Sequence, residues 1–445
     1  MEGKLLNFLL EVEKLKKIQR TGWVWREVKN PETIAQHTFR VTLLNWLLGE
    51  RVKPKLDLEK LIKISLAHDL CEVYVGDITP YWGIIPSDPK KRREILKRWI
   101  RLTKEKKEKR LKIKLEREKK ALKRLVKTLP PLQQKEIMTS WLAYESSIFG
   151  NSKEGKFVKQ GDKIETLLQA IEYFGTKPDS LAAAWWEEVE DLVDHPVLLD
   201  FLIEIEKKFY TKKKADPLLD FLVKVGKLKA LARRGWVIRG IKQPETIADH
   251  SFMVALMVWV FGQERKINLK RALKMALIHE ICAIYAGDYT PHDIFGRRFG
   301  ATRFNLSVRY DILGPRLRWR RFWQQRPRLP KETKAKRFQR VYQKETKALQ
   351  ALIKKLPPYL KQEILGLWKE FNEKKTKESD FVDQVNCLAT FLQACQYWKK
   401  NSKFPIKVFG EQVAEFISDP QLVEFLKIVK RKFKLQIKEA SQNAL

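Results

Sequence analysis

The stretch AHDLCEVYVGDITP, residues 67–80, brings His68, Asp69, Glu72 and Asp77 within one short run. Glu72 lies four residues beyond His68 and three beyond Asp69, a spacing that lets all three side chains approach one region if the run is helical. His37 stands on the preceding helix and Asp162 follows in KFVKQGDKIETLLQAIEYF, 156–174. Two imidazole nitrogens and carboxylate oxygens around one point suit a single divalent ion, Mn, Co, Fe, Zn or Mg, with positions left for water and substrate. Glu72 is then placed to accept a proton or orient water. An arginine such as Arg20 matches phosphate oxygens with its planar fork, with Arg26 as an alternative, and Trp23 offers a face for stacking.

Each of these residues also has an ordinary reading. A histidine on an amphipathic helix is usually core or surface, Asp77 after Gly76 suits a turn, and Trp23 is one of fourteen tryptophans. The constellation outweighs them. The chain has six histidines, and four of them, His37, His68, His250 and His279, fall at matching positions of an internal repeat.

Residues 20–39, RTGWVWREVKNPETIAQHTF, reappear at 233–252 as RRGWVIRGIKQPETIADHSF. The 67–80 stretch is answered by IHEICAIYAGDYTP at 278–291, and 156–174 by DFVDQVNCLATFLQACQYW at 380–398. The displacement far exceeds the roughly 20–50 residues of solenoid units, so a duplicated domain is expected. The second copy keeps His250, His279, Asp288, Arg233 and Trp236 but departs at three positions: Glu280 for Asp69, Ala283 for Glu72 and Asn386 for Asp162. One extra methylene displaces a carboxylate by roughly 1–1.5 Å, against metal-ligand tolerances of about 0.2 Å. The second site is therefore expected to be degenerate and hydrolytically inactive, with a weak metal site or a nucleotide pocket left open.

The elements that must position these residues read as helices. Asn30 as cap, Pro31 and Glu32 open a helix over 31–48, and Leu61, Ile64, Leu66 and Leu70 mark a second over 58–75 that Gly76 ends. Convincing alternating strands are absent, so the fold class is all-α, with two tandem irregular helical bundles. The expected domains are 1–210 and 217–445, joined by a linker at 211–216 within the polar, Lys-rich YTKKKADP.

The pattern His37…His68-Asp69…Asp162 resembles the signature of HD-domain metal-dependent phosphohydrolases. The surrounding RTGW, NPETIAQH, AHDLCEVYVGDITP and KFVKQGDKIETLLQA are similar to the 5'-deoxynucleotidase subfamily, strongly over most of 1–210 and more weakly over 215–400. The resemblance implies removal of the 5'-phosphate from deoxyribonucleoside monophosphates. It implies His37, His68, Asp69 and Asp162 as metal ligands, Glu72 and Asp77 as groups orienting water and substrate, and Arg20, Trp23 and Thr79 as substrate contacts. Two rivals stand beside it: an HD phosphohydrolase acting on nucleoside polyphosphates or nucleic-acid ends, and a nucleic-acid-binding or scaffold protein with vestigial catalysis.

A formal charge of +36 and a pI near 9.9 favour polyanionic partners. The charge concentrates in two inserts. Residues 90–127 carry about twenty basic against five acidic residues and read as one long solvated helix, with Ile95, Trp99, Leu102, Ile113 and Leu122 as a thin stripe. Residues 297–331 interleave arginines with Phe299, Phe304, Tyr310, Trp319, Phe322 and Trp323, a mixture suited to RNA or single strands. The four cysteines form no CxxC pair, and no stretch is long and apolar enough for a membrane span, so a cytoplasmic location is expected. The oligomeric state is left open by the sequence.

Overall fold

The computed structural model describes residues 2–79, 81–97, 102–146, 152–176, 183–289 and 331–435. Among them every regular element is a helix, accompanied by two isolated β-bridges, Gln19 with Thr33 and Ala232 with Thr246. The chain divides into two compact units, Met1–Val223 with Ala255–Leu273, and Lys224–Val254 with Lys274–Leu445.

The first unit begins with α1 (Glu2–Val12), α2 (Thr21–Trp25) and α3 (Ile34–Gly49). The sequence places the start of α3 at Pro31 with Asn30 as cap, but the cap is Thr33. Its hydroxyl accepts from the Gln36 amide at 3.2 Å while the Gln36 side chain accepts from the Thr33 amide at 3.0 Å, a reciprocal capping box. Residues 30–33 are diverted because the backbone there pairs with the segment before α2: Arg20 N donates to Glu32 O and Ile34 N to Ile18 O. This pairing fixes Arg20, at the N-terminus of α2, relative to His37 in the first turn of α3.

The helix expected over 58–75 is also interrupted. Asp57 caps α4 (Leu58–Ala67) through the amides of Glu59 and Lys60, and the apolar stripe Leu61, Ile64 and Leu66 is fully buried. The helix ends at Ala67, a turn follows, and α5 (Glu72–Val75) closes at Gly76, whose φ of 70° suits a residue without a Cβ. His68, Asp69 and Glu72 therefore converge through a tight turn, which aims side chains more sharply than one face of a continuous helix.

The basic insert is not one helix. Its described residues form α6 (Pro89–Lys97) and α7 (Lys104–Val126), and Trp99 lies outside the described residues. Nor is α7 simply solvated. It packs against α5 and α8 (Pro131–Glu145), burying Ala121, Leu122, Leu125 and Val126, while Ile113 stays 55% exposed. Each fully buried leucine contributes about 1.5–3 kcal/mol, enough to anchor an otherwise cationic helix.

The spine of the unit is α9 (Lys153–Phe174), on which α3, α4, α8, α10 (Ala183–Leu192) and α11 (Pro196–Phe209) pack. Gly161 permits the closest approach. A Cβ there would lie 1.9 Å from Asn45 Oδ1 on α3, so the glycine lets Asp162 reach the helix that carries His37.

In the second unit Arg233 precedes the short helix Arg234–Val237, and the start of the helix Ile247–Gly262, which belongs to this unit as far as Val254, is led in by Thr246, whose hydroxyl accepts from the Asp249 amide. The turn helix Ala283–Ala286 ends at Gly287 with φ of 80°, and Asn386 sits on the helix Lys377–Lys400. The Arg- and aromatic-rich insert over 297–331 lies outside the described residues but for Lys331.

Candidate metal centre

Donor atoms of His37, His68 and Asp69 all lie within 4.8 Å of one another. His68 Nδ1 donates to the Ser65 carbonyl at 2.7 Å, so its other nitrogen presents a bare lone pair. That atom, Nε2, is buried and has no hydrogen-bond partner, although Asp69 Oδ2 is only 3.1 Å away. The separation satisfies an ion pair but the alignment does not satisfy a hydrogen bond, which is the arrangement of two ligands awaiting a shared cation.

His37 is prepared in the same sense by a different partner. Its Nδ1 faces Glu165 Oε2 at 2.5 Å, and a carboxylate only accepts, so the Nδ1 proton is held there and Nε2 turns to Asp162 Oδ1 at 2.9 Å and Asp69 Oδ2 at 4.0 Å. Tyr144 Oη donates to the second Asp162 oxygen at 2.8 Å. The four expected ligands are thus gathered in one cluster, and the orphaned His68 nitrogen, the carboxylates on both sides of His37 and the nitrogen–oxygen donor set fit a divalent first-row ion.

The electrostatics agree. Burial and the Arg20 charge act to lower the His37 pKa, yet the Glu165 and Asp162 carboxylates prevail and raise it to about 9, so this site attracts positive charge at Nε2. Burial acts to raise Asp69 and Asp162, but His68, Arg20 and His37 hold Asp69 well below the usual carboxylate range, and the His37 hydrogen bond with Lys163 does the same for Asp162. Glu72 goes the other way. Burial, reinforced by Asp69 and Asp77, raises its carboxyl far above the usual range, and its buried Oε2 has no partner.

Around this cluster Arg20 NH1 donates to Asp69 Oδ2 at 3.2 Å, and its Nε lies 3.9 Å from Asp77 Oδ2. Asp77 in turn accepts from the Thr21 amide at 2.6 Å, pinning the start of α2. Beside Asp77 opens a cleft of about 460 Å³ lined by Thr21, Trp25, Asp77, Thr79, Trp82 and Arg117. Its size falls in the range of about 300–1,000 Å³ usual for small-molecule sites.

Trp23 is placed elsewhere. It is 1% exposed, donates from Nε1 to Glu32 and packs among Tyr173, Phe174 and Trp185, so it serves the core. The aromatic faces at the cleft are Trp25 and Trp82, the latter under the Arg117 guanidinium at 4.2 Å. Arg26 lies over Trp185 at 4.3 Å and does not enter the cluster.

Several contributors are not evident from motif reading. Glu165, one turn beyond Asp162, is the signal that was available, since the i, i+3 spacing places it on the same face of α9. Arg40 backs it: Nε donates to Glu165 Oε1 at 2.6 Å and NH1 donates to both Glu172 oxygens at 2.8 Å. From the basic insert, Lys114 lies 3.4 Å from Glu118 and, despite burial, is held charged by Glu118, Glu145 and Glu72. Another grouping, Glu32, His37 and Glu165, is already satisfied by Trp23, Arg40 and His37 and offers no open position.

In the second unit His250, His279 and Glu280 likewise place donor atoms within 4.8 Å. His279 Nδ1 donates to Ala276 O at 2.8 Å, leaving Nε2 buried and unpartnered, and burial lowers its pKa to about 4. His250 Nε2 lies 2.8 Å from Asn386 Oδ1, and Asp288 accepts from the Arg234 amide at 2.6 Å. Burial, then Glu280 and Asp288, push Glu345 up to about 8.

The sequence profile of the HD domain family matches residues 12–196, 225–305 and 329–421. The chain belongs to the HD domain family. As an HD-domain protein it is a metal-dependent phosphohydrolase. Among curated proteins it is similar to 5'-deoxynucleotidase HDDC2 of Mus musculus, 32% identical over 204 residues, which make up 45% of this chain and 86% of that protein. It is 29% identical to 5'-deoxynucleotidase hdd1 of Schizosaccharomyces pombe over 204 residues, 45% of this chain and 88% of the relative. Among solved structures, a conserved hypothetical protein from Pyrococcus furiosus is 29% identical, covering 45% of this chain and 98% of its own, with a TM-score of 0.31. No helix among the described residues is long and apolar enough to cross a membrane.

Proposed function

We propose that this HD-domain protein is a cytoplasmic 5'-deoxynucleotidase, releasing phosphate from deoxyribonucleoside monophosphates at the cluster of its first unit. The observation that carries the reading is the junction of bare ligand atoms with a nucleotide-sized cleft through Arg20, which lies 3.2 Å from Asp69 and 3.9 Å from Asp77. The relatives named 5'-deoxynucleotidases support the substrate class.

His37, His68, Asp69 and Asp162 hold one divalent ion. When bound, that ion supplies Lewis acidity toward water and a phosphoryl oxygen. Arg20, free to exchange its carboxylate partners for phosphate oxygens, clamps the substrate phosphate with its fork. Asp77 and Thr79 fix the sugar end at the cleft, and Trp25 and Trp82 face the base. Glu72, with an unpartnered oxygen directed into a buried acidic site, orients the attacking water, takes its proton as the water oxygen bonds phosphorus, and returns it to the 5'-oxygen as the bond from phosphorus to that oxygen breaks. Burial, with Asp69 and Asp77, raises its carboxyl far above the usual range, so it holds a proton taken from water more firmly than a solvated carboxylate does. The second unit performs no hydrolysis, since Ala283 stands where Glu72 does and leaves no acceptor there.

The test is phosphate release from a panel of deoxyribo- and ribonucleoside monophosphates, with manganese, cobalt or magnesium. Wild-type turnover of deoxynucleotides, abolished by Asp69→Asn and nearly unchanged by Glu280→Asn, is the expected result. Equal loss from both substitutions sinks the one-site reading, and turnover confined to other phosphate esters sinks the substrate class.

A further inference from the structure

The two clusters look alike as lists of donors, and proximity alone would give each a metal. The hydrogen bonds around the first histidine of each cluster separate them. His37 Nδ1 faces the Glu165 carboxylate at 2.5 Å and Nε2 faces Asp162 Oδ1 at 2.9 Å; both carboxylates only accept, so Nδ1 keeps its proton against Glu165 and the inward Nε2 stands where a cation can take the place of a proton. His250 Nδ1 faces the Arg233 guanidinium, which can only donate: NH1 lies 3.1 Å from Nδ1 and 3.1 Å from Thr390 Oγ1. The proton of His250 is therefore on Nε2, where it is given to Asn386 Oδ1 at 2.8 Å. The inward nitrogen of the second cluster gives its hydrogen to a neutral amide, whereas that of the first faces a carboxylate that draws a cation.

The cause can be read across the repeated stretches. Aligning His37 with His250 and Asp162 with Asn386 sets Arg40 opposite Met253, Glu165 opposite Ala389 and Glu172 opposite Gln396. Arg40, Glu165 and Glu172 thus have no charged counterpart behind His250, where Glu245, opposite Glu32, lies 3.8 Å from Nδ1 and Arg233 lies closer. The matching Arg20 makes the corresponding threonine contact, to Thr166, but donates to Asp69 and not to an imidazole. Charge points the same way. Arg20 is surrounded by Asp77, Asp69, Asp162 and Glu72, whereas Arg233 has Glu245 at 3.5 Å, Glu280 at 3.8 Å and Asp288 on the next residue's amide. A dication placed beside Arg233 would meet one cation already seated and a neutral amide in place of the distal carboxylate.

We propose that the second cluster binds no metal because Arg233 and Asn386 fix His250 with its proton inward, and that Glu165 is the positioning residue that keeps the first cluster open. This rests on the reading of the first cluster as the metal site. It adds that the decisive loss in the second half includes Ala389, behind the ligands, and not only Glu280 and Asn386.

The experiment counts manganese bound to the full chain. The protein is stripped with chelator, dialysed against manganese chloride, freed of excess and measured by elemental analysis, with titration followed by electron paramagnetic resonance. The wild type is expected to hold one manganese per chain, His37→Ala none and His250→Ala still one. Glu165→Ala is expected to weaken manganese binding about 10–100-fold, the usual consequence of removing the partner of a ligating histidine. The combined variant Glu280→Asp, Asn386→Asp and Ala389→Glu, checked for native helicity by circular dichroism, is expected to gain a second manganese. Two per chain in the wild type, or undiminished affinity in Glu165→Ala, overturns the inference while leaving the first site standing. A wild type that holds none overturns the reading of the first cluster and the assignment of Glu165 with it.

Discussion

Arg40 and Glu165 form a fully buried ion pair, Nε to Oε1 at 2.6 Å, directly behind the imidazole of His37. Neither lines the cleft, and the contact of the pair with the proposed ligands is the one between Glu165 and His37. Breaking it should be costly, because one charge is left without its partner in the core. Arg40→Met is expected to lower unfolding free energy by about 3–5 kcal/mol, read from the urea midpoint. Adding Glu165→Ala, which reproduces the Met253 and Ala389 of the other half, should recover part of that stability but not manganese binding.

Glu72 is expected to separate chemistry from metal binding. Glu72→Gln preserves shape and leaves His37, His68, Asp69 and Asp162 in place, so manganese stoichiometry should be unchanged. Removing the proton acceptor should reduce kcat about 10²–10⁴-fold, with little change in KM. Loss of metal along with turnover would place Glu72 among the ligands instead.

Gly161 tests the helix contact that carries Asp162 to His37. In Gly161→Ala the new Cβ meets Asn45 Oδ1, whose amide nitrogen donates to Ser65 Oγ at 3.2 Å, so accommodation strains that bond or spreads α3 from α9. A cost of about 1–3 kcal/mol is expected in thermal unfolding, with weaker manganese binding as a second readout. Gly22, whose Cβ direction is open, serves as the control.

Glu118 on α7 gives a pH dependence. Burial, with Glu145 and Asp69 outweighing the opposing Lys114 charge, raises its pKa to about 7. Between about 4.5 and 7 the folded chain holds a proton that the unfolded chain has released, so this group's contribution is favourable at low pH and is lost as pH rises through 7. The metal-free wild type should therefore lose up to about 3 kcal/mol from this group between pH 5 and pH 8. Glu118→Gln should flatten that slope and be the more stable of the two at pH 8. Parallel melting curves of the two proteins across this range would show that Glu118 titrates normally.

The all-α class was legible because it depends on residue type and local spacing, and the same spacing marked the residues now proposed as ligands and the substitutions at Glu280, Ala283 and Asn386. His68-Asp69 followed by Gly76-Asp77 encodes a turn wherever it occurs, and Asn386 is an amide in any fold. Thr33 and Gln36 were as visible as Asn30, yet the true start of α3 was not, since it depends on backbone pairing between residues 18–20 and 32–34. The turn at His68 was hidden for a similar reason. An apolar stripe through Leu70 reads as continuous helix, and only the packing of α5 against α7 shows the chain folding back.

What only the tertiary structure decided is which polar groups face one another across helices distant in sequence. Trp23 and Trp25 are alike as side chains, and burial against Tyr173 and Trp185 sends one into the core while the other lines the cleft. The insert helix read as solvated charge, but its C-terminal leucines bury against the bundle and carry Lys114 and Arg117 to the site. Above all, the sequence names His37 and His250 as equals. A histidine's two nitrogens are assigned by their neighbours, and a carboxylate from α9 faces one imidazole while a guanidinium faces the other.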